Sequence, residues 1–237
     1  MSGNVALEFD HGVAVITMAN PGRLNAMDDA VASGLAAAVA QAAAAEGVGA
    51  LVLRGAGREA FCSGVDLKFV AAFGDRAAAF ATVGKGVDAF LAAMAALPFP
   101  SIAMLHGVCY GGGVQLAVTA DFRFADTALK LVIPAVKNGL HYPIPALERL
   151  MRLVGPSRTR RLVLEGERLP PELLLGWGLV DELHPPERLE EATLAFARRL
   201  AAQPRAVVPA YMQILHAVES GDITAASRLR DEARRRN

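Results

Sequence analysis

The sequence predicts an α/β fold, and three observations lead to this prediction. Residues 5–9 and 13–18 alternate in the manner of two strands on either side of Asp10-His11-Gly12, which is typical of a β-hairpin. Short apolar runs at residues 50–53 and 101–105 have the length of buried strands. Alanine-rich stretches with apolar residues at helical spacing precede each of these runs. An antiparallel hairpin followed by alternating helices and strands indicates an α/β fold.

The helices are predicted from their start and stop signals. Asp28-Asp29 favours a helix start, and the helix over residues 30–45 should end at Gly47-Val48-Gly49. A second helix over residues 77–97 is expected to be interrupted near Gly84-Lys85-Gly86 and to stop at the prolines that follow. The remaining predicted elements are strands at 122–124, 129–132 and 179–183, helices at 146–154, 156–164, 170–178, 189–202 and 207–220, and a charged, frayed end at 228–237.

Composition excludes several classes of function. Lys plus Arg number 24 and Asp plus Glu number 24, so the formal net charge is zero, which argues against a nucleic-acid or anionic-membrane partner. No apolar run reaches the roughly 18 residues of a membrane span, and the N-terminus lacks the pattern of a signal peptide. Cys62 and Cys109 have no metal-type spacing and are expected to be reduced core thiols. We therefore expect a cytoplasmic protein with no bound metal.

The chain is organised around a glycine-rich segment at residues 106–121. Gly111-Gly112-Gly113 follows a predicted strand and precedes a predicted buried helix over residues 114–120. Glycine lets the backbone turn sharply and lets a ligand approach the main chain, while the first amides of the helix point at that ligand. Such a site suits an oxygen that gains negative charge during a reaction. The alternative is a tight strand-to-helix turn without function, and the spacing fits neither a Walker loop nor a dinucleotide-binding motif.

A second glycine-punctuated segment, residues 54–68, follows a predicted strand. It could be a mobile surface loop, but Phe61 and Cys62 are residue types that prefer burial. We therefore expect the segment to pack against the core. Packed loops at strand ends are where α/β folds keep their ligands.

Four segments, in order, resemble the crotonase superfamily, which is the enoyl-CoA hydratase/isomerase family. They are Asn20-Pro21 with Leu24-Asn25-Ala26, residues 60–68, residues 100–121 and residues 176–181. The resemblance implies a spiral of ββα units over residues 1–183 and a helical C-terminal region over residues 184–237. That region would mediate assembly into a homotrimer or a dimer of trimers. The resemblance also implies an acyl-CoA thioester as substrate, with coenzyme A as part of the substrate and no separate cofactor.

The resemblance also assigns site residues by position. The backbone amides of Val65 and Gly112 would form an oxyanion hole for the carbonyl oxygen of a thioester enolate, and removing one such donor costs on the order of 10²–10³ in rate. The backbone of residues 65–68 would contact the adenine of coenzyme A. The basic side chains of Arg23 and Lys68 could meet its phosphates or be merely solvated. The implied substrate-binding residues are Arg23, Leu24, Ala26, Ser63, Gly64, Asp66, Leu67, Lys68, Gly111, Pro134 and Ala135.

The sequence departs from the family pattern at the acid/base positions. Hydratases of this family use two glutamates, and the corresponding positions here hold Gln115 and Ala135. Gln115 can orient a water molecule or substrate but cannot take a proton, and Ala135 can do neither. Tyr142 occupies the place of a tyrosine in methylmalonyl-CoA decarboxylase-like members, where it would orient a departing carboxylate. The alternative is that Tyr142 packs against Pro143 and Pro145 as a loop anchor.

Three functions therefore stay open at this point. The first is an acyl-CoA enzyme that forms a thioester enolate, with decarboxylation as its chemistry, because decarboxylation needs no base. The second is a hydratase or isomerase that uses other acid/base groups, such as Tyr142, His141 or Lys85. The third is an inactive protein that binds acyl-CoA. The intact glycine segments favour activity, and the two missing carboxylates favour inactivity.

Overall fold

A computed structural model of the chain describes residues 2–236, with the backbone alone for Arg236. Its strands form a six-stranded sheet of order β1-β2-β3-β5-β7-β9 and a three-stranded sheet of order β4-β6-β8. Strands β1 and β2 are antiparallel, and every other neighbouring pair is parallel. The strands are β1 (Asn4–Asp10), β2 (Val13–Ala19), β3 (Ala50–Gly55), β4 (Ala60–Cys62), β5 (Ser101–Leu105), β6 (Val108–Tyr110), β7 (Phe122–Asp126), β8 (Lys130–Val132) and β9 (Glu182–His184).

The helices complete a repeating ββα pattern. In each repeat after the hairpin, the first strand joins the large sheet, the second joins the small sheet, and a helix follows. This arrangement confirms the predicted α/β spiral of ββα units. The helices are α1 (Asp29–Ala44), α2 (Leu67–Phe73), α3 (Arg76–Ala95), α4 (Gly112–Thr119), α5 (Ile144–Glu165), α6 (Pro171–Trp177), α7 (Leu189–Ala201), α8 (Val208–Glu219) and α9 (Ile223–Arg236).

The large sheet is covered on both faces, because successive side chains of a strand point to opposite sides. On β3, Leu51 and Leu53 join the main core with α1, α3 and α4. Ala50 and Val52 face the other way and join a smaller cluster in which α7 covers the sheet. The first helix of the predicted C-terminal region therefore packs directly on the sheet. The predicted division between residues 183 and 184 stays a prediction.

Three local expectations are corrected by the structure, and three short elements lie where no strand or helix was predicted. The strands β4 and β6 have three residues each and the helix α2 has seven, which is too short for a periodicity to be read. Helix α3 runs without interruption through Gly86. A Cβ on Gly86 would lie 2.8 Å from the Ala32 backbone, so the glycine is needed there for the close packing of α3 against α1. The last strand is β9, which begins later than predicted. Residues 228–236 are helical, because Asp222 accepts the Ala225 amide at the start of α9.

Helix α3 is long and apolar enough, by length and composition, to cross a membrane. Val83, Val87 and Phe90 are buried in the main core, however, so the helix packs as a core helix does. At the C-terminal end, α8 and the start of α9 leave several large apolar side chains exposed, namely Tyr211, Leu215, Val218 and Ile223. Assembly into trimers through this region stays a prediction.

Candidate functional site: two main-chain donors at the start of helix α4

The candidate site lies where β6 meets α4. The turn between them is at Gly111, whose φ of 49° is in the left-handed region that favours glycine. Gly113 is required for close packing, since a Cβ there would lie 3.0 Å from the carbonyl carbon of Cys62 and closer still to its oxygen. The glycines therefore place the N-terminus of α4 directly against the end of β4.

Two backbone N–H groups are left free where these segments meet. Val65 pairs with Met27 through bonds that its neighbours make, from the Met27 amide to the Gly64 carbonyl (2.7 Å) and from the Asp66 amide to the Met27 carbonyl (2.8 Å). Gly112 is the first residue of α4, so its N–H has no helical partner. Neither N–H donates to an acceptor within residues 2–236.

The two donors belong to segments in direct contact. A Cβ built on Gly64 would lie 3.3 Å from the amide nitrogen of Gly112. A Cβ built on Gly112 would lie 3.6 Å from the Cα of Gly64. The predicted oxyanion residues, Val65 and Gly112, are therefore brought together across 47 positions of sequence (112 − 65). The arrangement can stabilise an oxygen that becomes negative, with the N-terminus of α4 adding its dipole.

Asp66 holds the Val65 segment in place. One of its carboxylate oxygens caps α2 by accepting the amides of Lys68 (2.8 Å) and Phe69 (3.3 Å). The other accepts from the Asn20 side chain at 3.3 Å and lies 3.7 Å from Nε of Arg23. The Asp66 side chain is thus committed to structure, and any contact with substrate from this residue would come from its backbone.

Residues 20–27 are anchored by Asn20 and Asn25, which the sequence analysis named only as part of a family-like segment, without a role. Leu24 and Asn25 have φ values of 50° and 54°, which cost energy in residues with a side chain. The Asn25 amide compensates by donating to the carbonyls of Ala56 (2.9 Å) and Ala60 (2.7 Å). Asn20 donates to the Ala26 carbonyl at 2.8 Å. Asparagine tolerates the left-handed region, and this is the signal that could have identified Asn25.

The remaining residues predicted to bind substrate lie around this anchored turn. Ser63 donates its hydroxyl to the Arg23 carbonyl at 3.1 Å, and its amide donates to the Leu24 carbonyl at 3.0 Å. Leu67 and Lys68 begin α2 and are exposed. Lys68 makes no ion pair with any residue that the structure describes. Arg23, Leu24, Ser63 and Lys68 therefore surround the segment that carries Val65.

The Tyr142 side chain contacts the main chain of the turn at Gly111. Its side chain is 9% exposed, and its hydroxyl donates to the carbonyl of Gly111 at 2.8 Å. Burial raises the pKa of Tyr142 well above its ordinary value, and Cys109 adds to the rise. The phenol therefore keeps its proton and directs it at the main chain. This contact agrees with the alternative that Tyr142 anchors its loop, and the role of Tyr142 toward a substrate carboxylate stays a prediction.

Gln115 and Ala135, at the two glutamate positions, lie in different surroundings. Gln115 is in the first turn of α4 and is only 7% exposed, yet its carboxamide makes no hydrogen bond to any described residue. Ala135 is buried in the main core, and its carbonyl accepts the Leu140 amide at 2.8 Å. Pro134 lies next to the turn, with its Cδ 3.9 Å from a Cβ built on Gly111. Gln115 is therefore a polar side chain of the site that has no partner among the described residues.

The titratable groups that pack behind the site are uncharged at neutral pH. Burial raises the pKa of Cys62 to about 12, and it also raises the pKa of Cys109, which is its partner in the small sheet. Burial lowers the pKa of His106, whose Nε2 lies 3.2 Å from the Gly55 carbonyl oxygen.

Within the described part of the chain, no three His, Cys, Asp or Glu residues could hold a metal ion. His141 and Lys85, the other acid/base candidates, are exposed.

Known proteins with similar sequences were compared with this chain. The family model described as enoyl-CoA hydratase/isomerase matches residues 8–233. A protein named probable enoyl-CoA hydratase echA17, from Mycolicibacterium paratuberculosis, is 31% identical over 226 residues, covering 95% of this chain and 86% of that protein. Another named probable enoyl-CoA hydratase EchA14, from Mycobacterium tuberculosis, is 36% identical over 217 residues, covering 91% and 82%.

Solved structures with the same architecture were also found. An enoyl-CoA hydratase/isomerase family protein from Hyphomonas neptunium matches with a TM-score of 0.87 at 29% identity, covering 95% of this chain and 87% of that one. An enoyl-CoA hydratase from Bacillus anthracis matches with a TM-score of 0.91 at 24% identity, covering 98% and 90%. At 24% identity, the similarity to the Bacillus anthracis protein shows a shared fold alone.

Proposed function

Because this chain belongs to the enoyl-CoA hydratase/isomerase family, we propose that it transforms an acyl-CoA thioester by stabilising the enolate of that thioester. The observation that carries the proposal is that the N–H groups of Val65 and Gly112 have no acceptor among the described residues and belong to segments in direct contact. An enolate places negative charge on the thioester oxygen. Two preorganised amides, one at a helix N-terminus, stabilise that charge more than they stabilise the neutral ground state.

Decarboxylation is the chemistry that best fits the side chains around these donors. The enolate of a malonyl-type thioester forms when the bond between the α-carbon and the carboxylate breaks. The electron pair moves into the enolate, carbon dioxide leaves, and a proton from water then completes the α-carbon. No step needs a general base, which agrees with Gln115 and Ala135 in place of carboxylates and with the raised pKa values of Cys62 and Cys109.

Gln115 takes the role that was first expected of Tyr142. The Gln115 side chain is 7% exposed, and its carboxamide makes no hydrogen bond to any described residue, so its donors and its acceptor stay available to a substrate. Its N–H donors can hold the departing carboxylate so that the breaking bond is aligned with the thioester. Gln115 lies on the same first turn of α4 as Gly112, so both groups can reach one substrate.

Hydration of an enoyl-CoA is the second candidate, and the names of the similar proteins favour it. Gln115 could orient the attacking water, but another group would have to take its proton. A protein that binds acyl-CoA without turnover is the third candidate. It has no need of an oxyanion hole.

The test is proton NMR in D₂O with methylmalonyl-CoA, crotonyl-CoA and a 3-enoyl-CoA. We expect loss of carbon dioxide from methylmalonyl-CoA with deuterium entering the α-carbon, and no change in crotonyl-CoA. Hydration of crotonyl-CoA at about 1 s⁻¹ or more, which is within the usual range of enzymes, would contradict the proposal. If no thioester changes, line broadening of the coenzyme A resonances would identify a binder without activity.

The Gln115→Leu variant tests the role of the carboxamide. It removes the polar group at similar volume, so we expect kcat for methylmalonyl-CoA to fall about 10- to 100-fold, as for a lost orienting contact. The control is Gln41→Leu, which changes an exposed glutamine of α1 and should leave the rate unchanged. If the two variants have equal rates, Gln115 does not orient the substrate.

A further inference from the structure

The Gly112 N–H cannot be considered apart from the Gly111 carbonyl. The two groups belong to one peptide unit, which is planar and trans, so the carbonyl and the N–H point in opposite directions. Whatever fixes the Gly111 oxygen on one side therefore fixes the direction of the Gly112 N–H on the other. A peptide between two glycines has little steric restraint of its own, because neither residue carries a Cβ.

Three donors hold the Gly111 oxygen, and one of them comes from outside the helix. The amides of Val114 (3.0 Å) and Gln115 (3.3 Å) belong to the first turn of α4 itself. The third donor is the hydroxyl of Tyr142 at 2.8 Å, which is the shortest of the three. Tyr142 lies in the segment between β8 and α5, so its hydrogen bond ties the peptide unit to a separate part of the fold.

The same contact also affects how strongly the N–H donates. A hydrogen bond to a carbonyl oxygen polarises the amide, and chains of hydrogen bonds strengthen one another. The phenol is suited to this because burial raises its pKa, so it stays a protonated donor over the pH range of ordinary assays. The chain of contacts runs from the Tyr142 hydroxyl through the Gly111–Gly112 peptide to the substrate oxygen.

The other donor is supported by an equivalent contact from the main chain. Val65 N–H shares its peptide unit with the Gly64 carbonyl, and that oxygen accepts the Met27 amide at 2.7 Å. Both donors are therefore backed by a hydrogen bond to the opposite end of their own peptide unit. At Val65 the backing group is an amide, which no substitution except proline removes. At Gly112 the backing groups are the amides of Val114 and Gln115 together with the Tyr142 hydroxyl, and only the hydroxyl can be removed by one ordinary substitution.

We infer that Tyr142 is a positioning residue, which sets the direction and the strength of the Gly112 oxyanion donor through the peptide unit that Gly111 and Gly112 share. This inference rests on the proposed function, since it needs Gly112 to meet a substrate oxygen. It assigns Tyr142 no contact with substrate. Its effect is on the charge that develops in the transition state and not on the binding of coenzyme A.

The test is isotope-edited infrared spectroscopy of acetyl-CoA labelled with carbon-13 at the thioester carbonyl. Hydrogen bonds from the oxyanion hole lower the carbonyl stretching frequency of the bound thioester. We expect a clear lowering for the unmodified protein and a smaller lowering for Tyr142→Phe, which removes the hydroxyl and keeps the ring. The control is Tyr211→Phe, which changes an exposed tyrosine of α8 and should match the unmodified protein.

The outcomes separate the inference from the proposed function. If the unmodified protein does not lower the frequency, the oxyanion hole itself is wrong and the inference fails with it. If it does, and Tyr142→Phe lowers the frequency equally, the oxyanion hole stands and the role of Tyr142 is overturned.

Steady-state kinetics supply a second readout. With methylmalonyl-CoA, we expect Tyr142→Phe to lower kcat about 10- to 100-fold, which is less than the loss of a whole oxyanion donor. KM should stay within about twofold, because a transition-state contact is weakened and binding is not. A rise in KM at unchanged kcat would assign Tyr142 to substrate binding instead and would overturn the inference.

Discussion

The segments that present Val65 and Gly112 carry equivalent donors but are held by different kinds of contact. The Val65 arm, which we define as residues 20–27 and 60–66, is fixed by a network of side-chain hydrogen bonds that Asn20 and Asn25 donate and that Asp66 accepts. The Gly112 arm, residues 107–115, has no such network. It is fixed by glycines, which let its backbone pack in direct contact with the backbone of the Val65 arm, and by one side-chain hydrogen bond, which the Tyr142 hydroxyl donates to the Gly111 carbonyl.

The difference determines how each arm should respond to substitution. A network spreads its free energy over several bonds, so losing one member weakens the arm without necessarily moving it. Close contact between two backbones cannot adapt in this way, because an added methyl group would have to displace the main chain of the neighbouring segment. Each single substitution in the network of the Val65 arm should therefore lower the free energy of unfolding by a moderate amount. Replacing one closely packed glycine of the Gly112 arm should lower it by a larger amount.

The largest effect is expected for Gly113→Ala. The new Cβ would lie 3.0 Å from the Cys62 carbonyl carbon and closer to its oxygen, and both atoms belong to the backbone of β4. We expect a loss of about 3 kcal/mol or more in the free energy of unfolding, measured by urea denaturation. The control is Gly84→Ala in the middle of α3, where a Cβ would meet nothing within 4 Å. That variant should gain about 0.5–1 kcal/mol from helix propensity. Equal stabilities of the two variants would contradict the close-packing argument.

A smaller loss is expected for Asn25→Ala in the Val65 arm. The change removes hydrogen bonds to the carbonyls of Ala56 and Ala60 and leaves a left-handed φ without its compensation. We expect the free energy of unfolding to fall by about 2–3 kcal/mol, with the protein still folded. The matched control is Asn4→Ala, at an exposed position of β1, which should change stability by less than about 0.5 kcal/mol. A loss at Asn25 as small as that of the control would mean that the network does not hold the arm.

The two arms also differ in what the sequence could predict. The Gly112 arm was located because three consecutive glycines between an apolar strand and a helix form a pattern that can be recognised in the sequence itself. The Val65 arm was located through its resemblance to a family segment, while the role of Asn25 was missed because its partners lie 31 and 35 positions away. The contact of Tyr142 with Gly111 spans 31 positions in the same way. Such long-range hydrogen bonds depend on the packed fold, which a local pattern does not contain.

Short strands were not predicted, for a related reason. The strand β4 lies in the Val65 arm and β6 lies in the Gly112 arm, and they pair in the small sheet, but three residues show no period of two. Their pairing is set by neighbouring strands, as in the register that joins Cys62 to Cys109. By contrast, the strands β3 and β5 were predicted, because runs of four and five buried residues stand out from their surroundings.

The smallest effect is expected from titration of His106, which directly follows β5 and precedes the Gly112 arm. Its Nε2 faces the Gly55 carbonyl, while its Nδ1 has no partner among the described residues, so a second proton would be buried without an acceptor. Burial accordingly lowers its pKa below 6.5 in the folded state. Between that lower pKa and 6.5, the unfolded chain binds more protons than the folded chain, and the free energy of unfolding should fall as pH drops. The slope contributed by one proton is at most about 1.4 kcal/mol per pH unit. Urea denaturation at a series of pH values should find this slope in the unmodified protein and lose it in His106→Gln. The variant His11→Gln, at an exposed turn, should keep it. If His106→Gln keeps the slope as well, the acid sensitivity arises elsewhere, and His106 does not link the stability of the arms to pH.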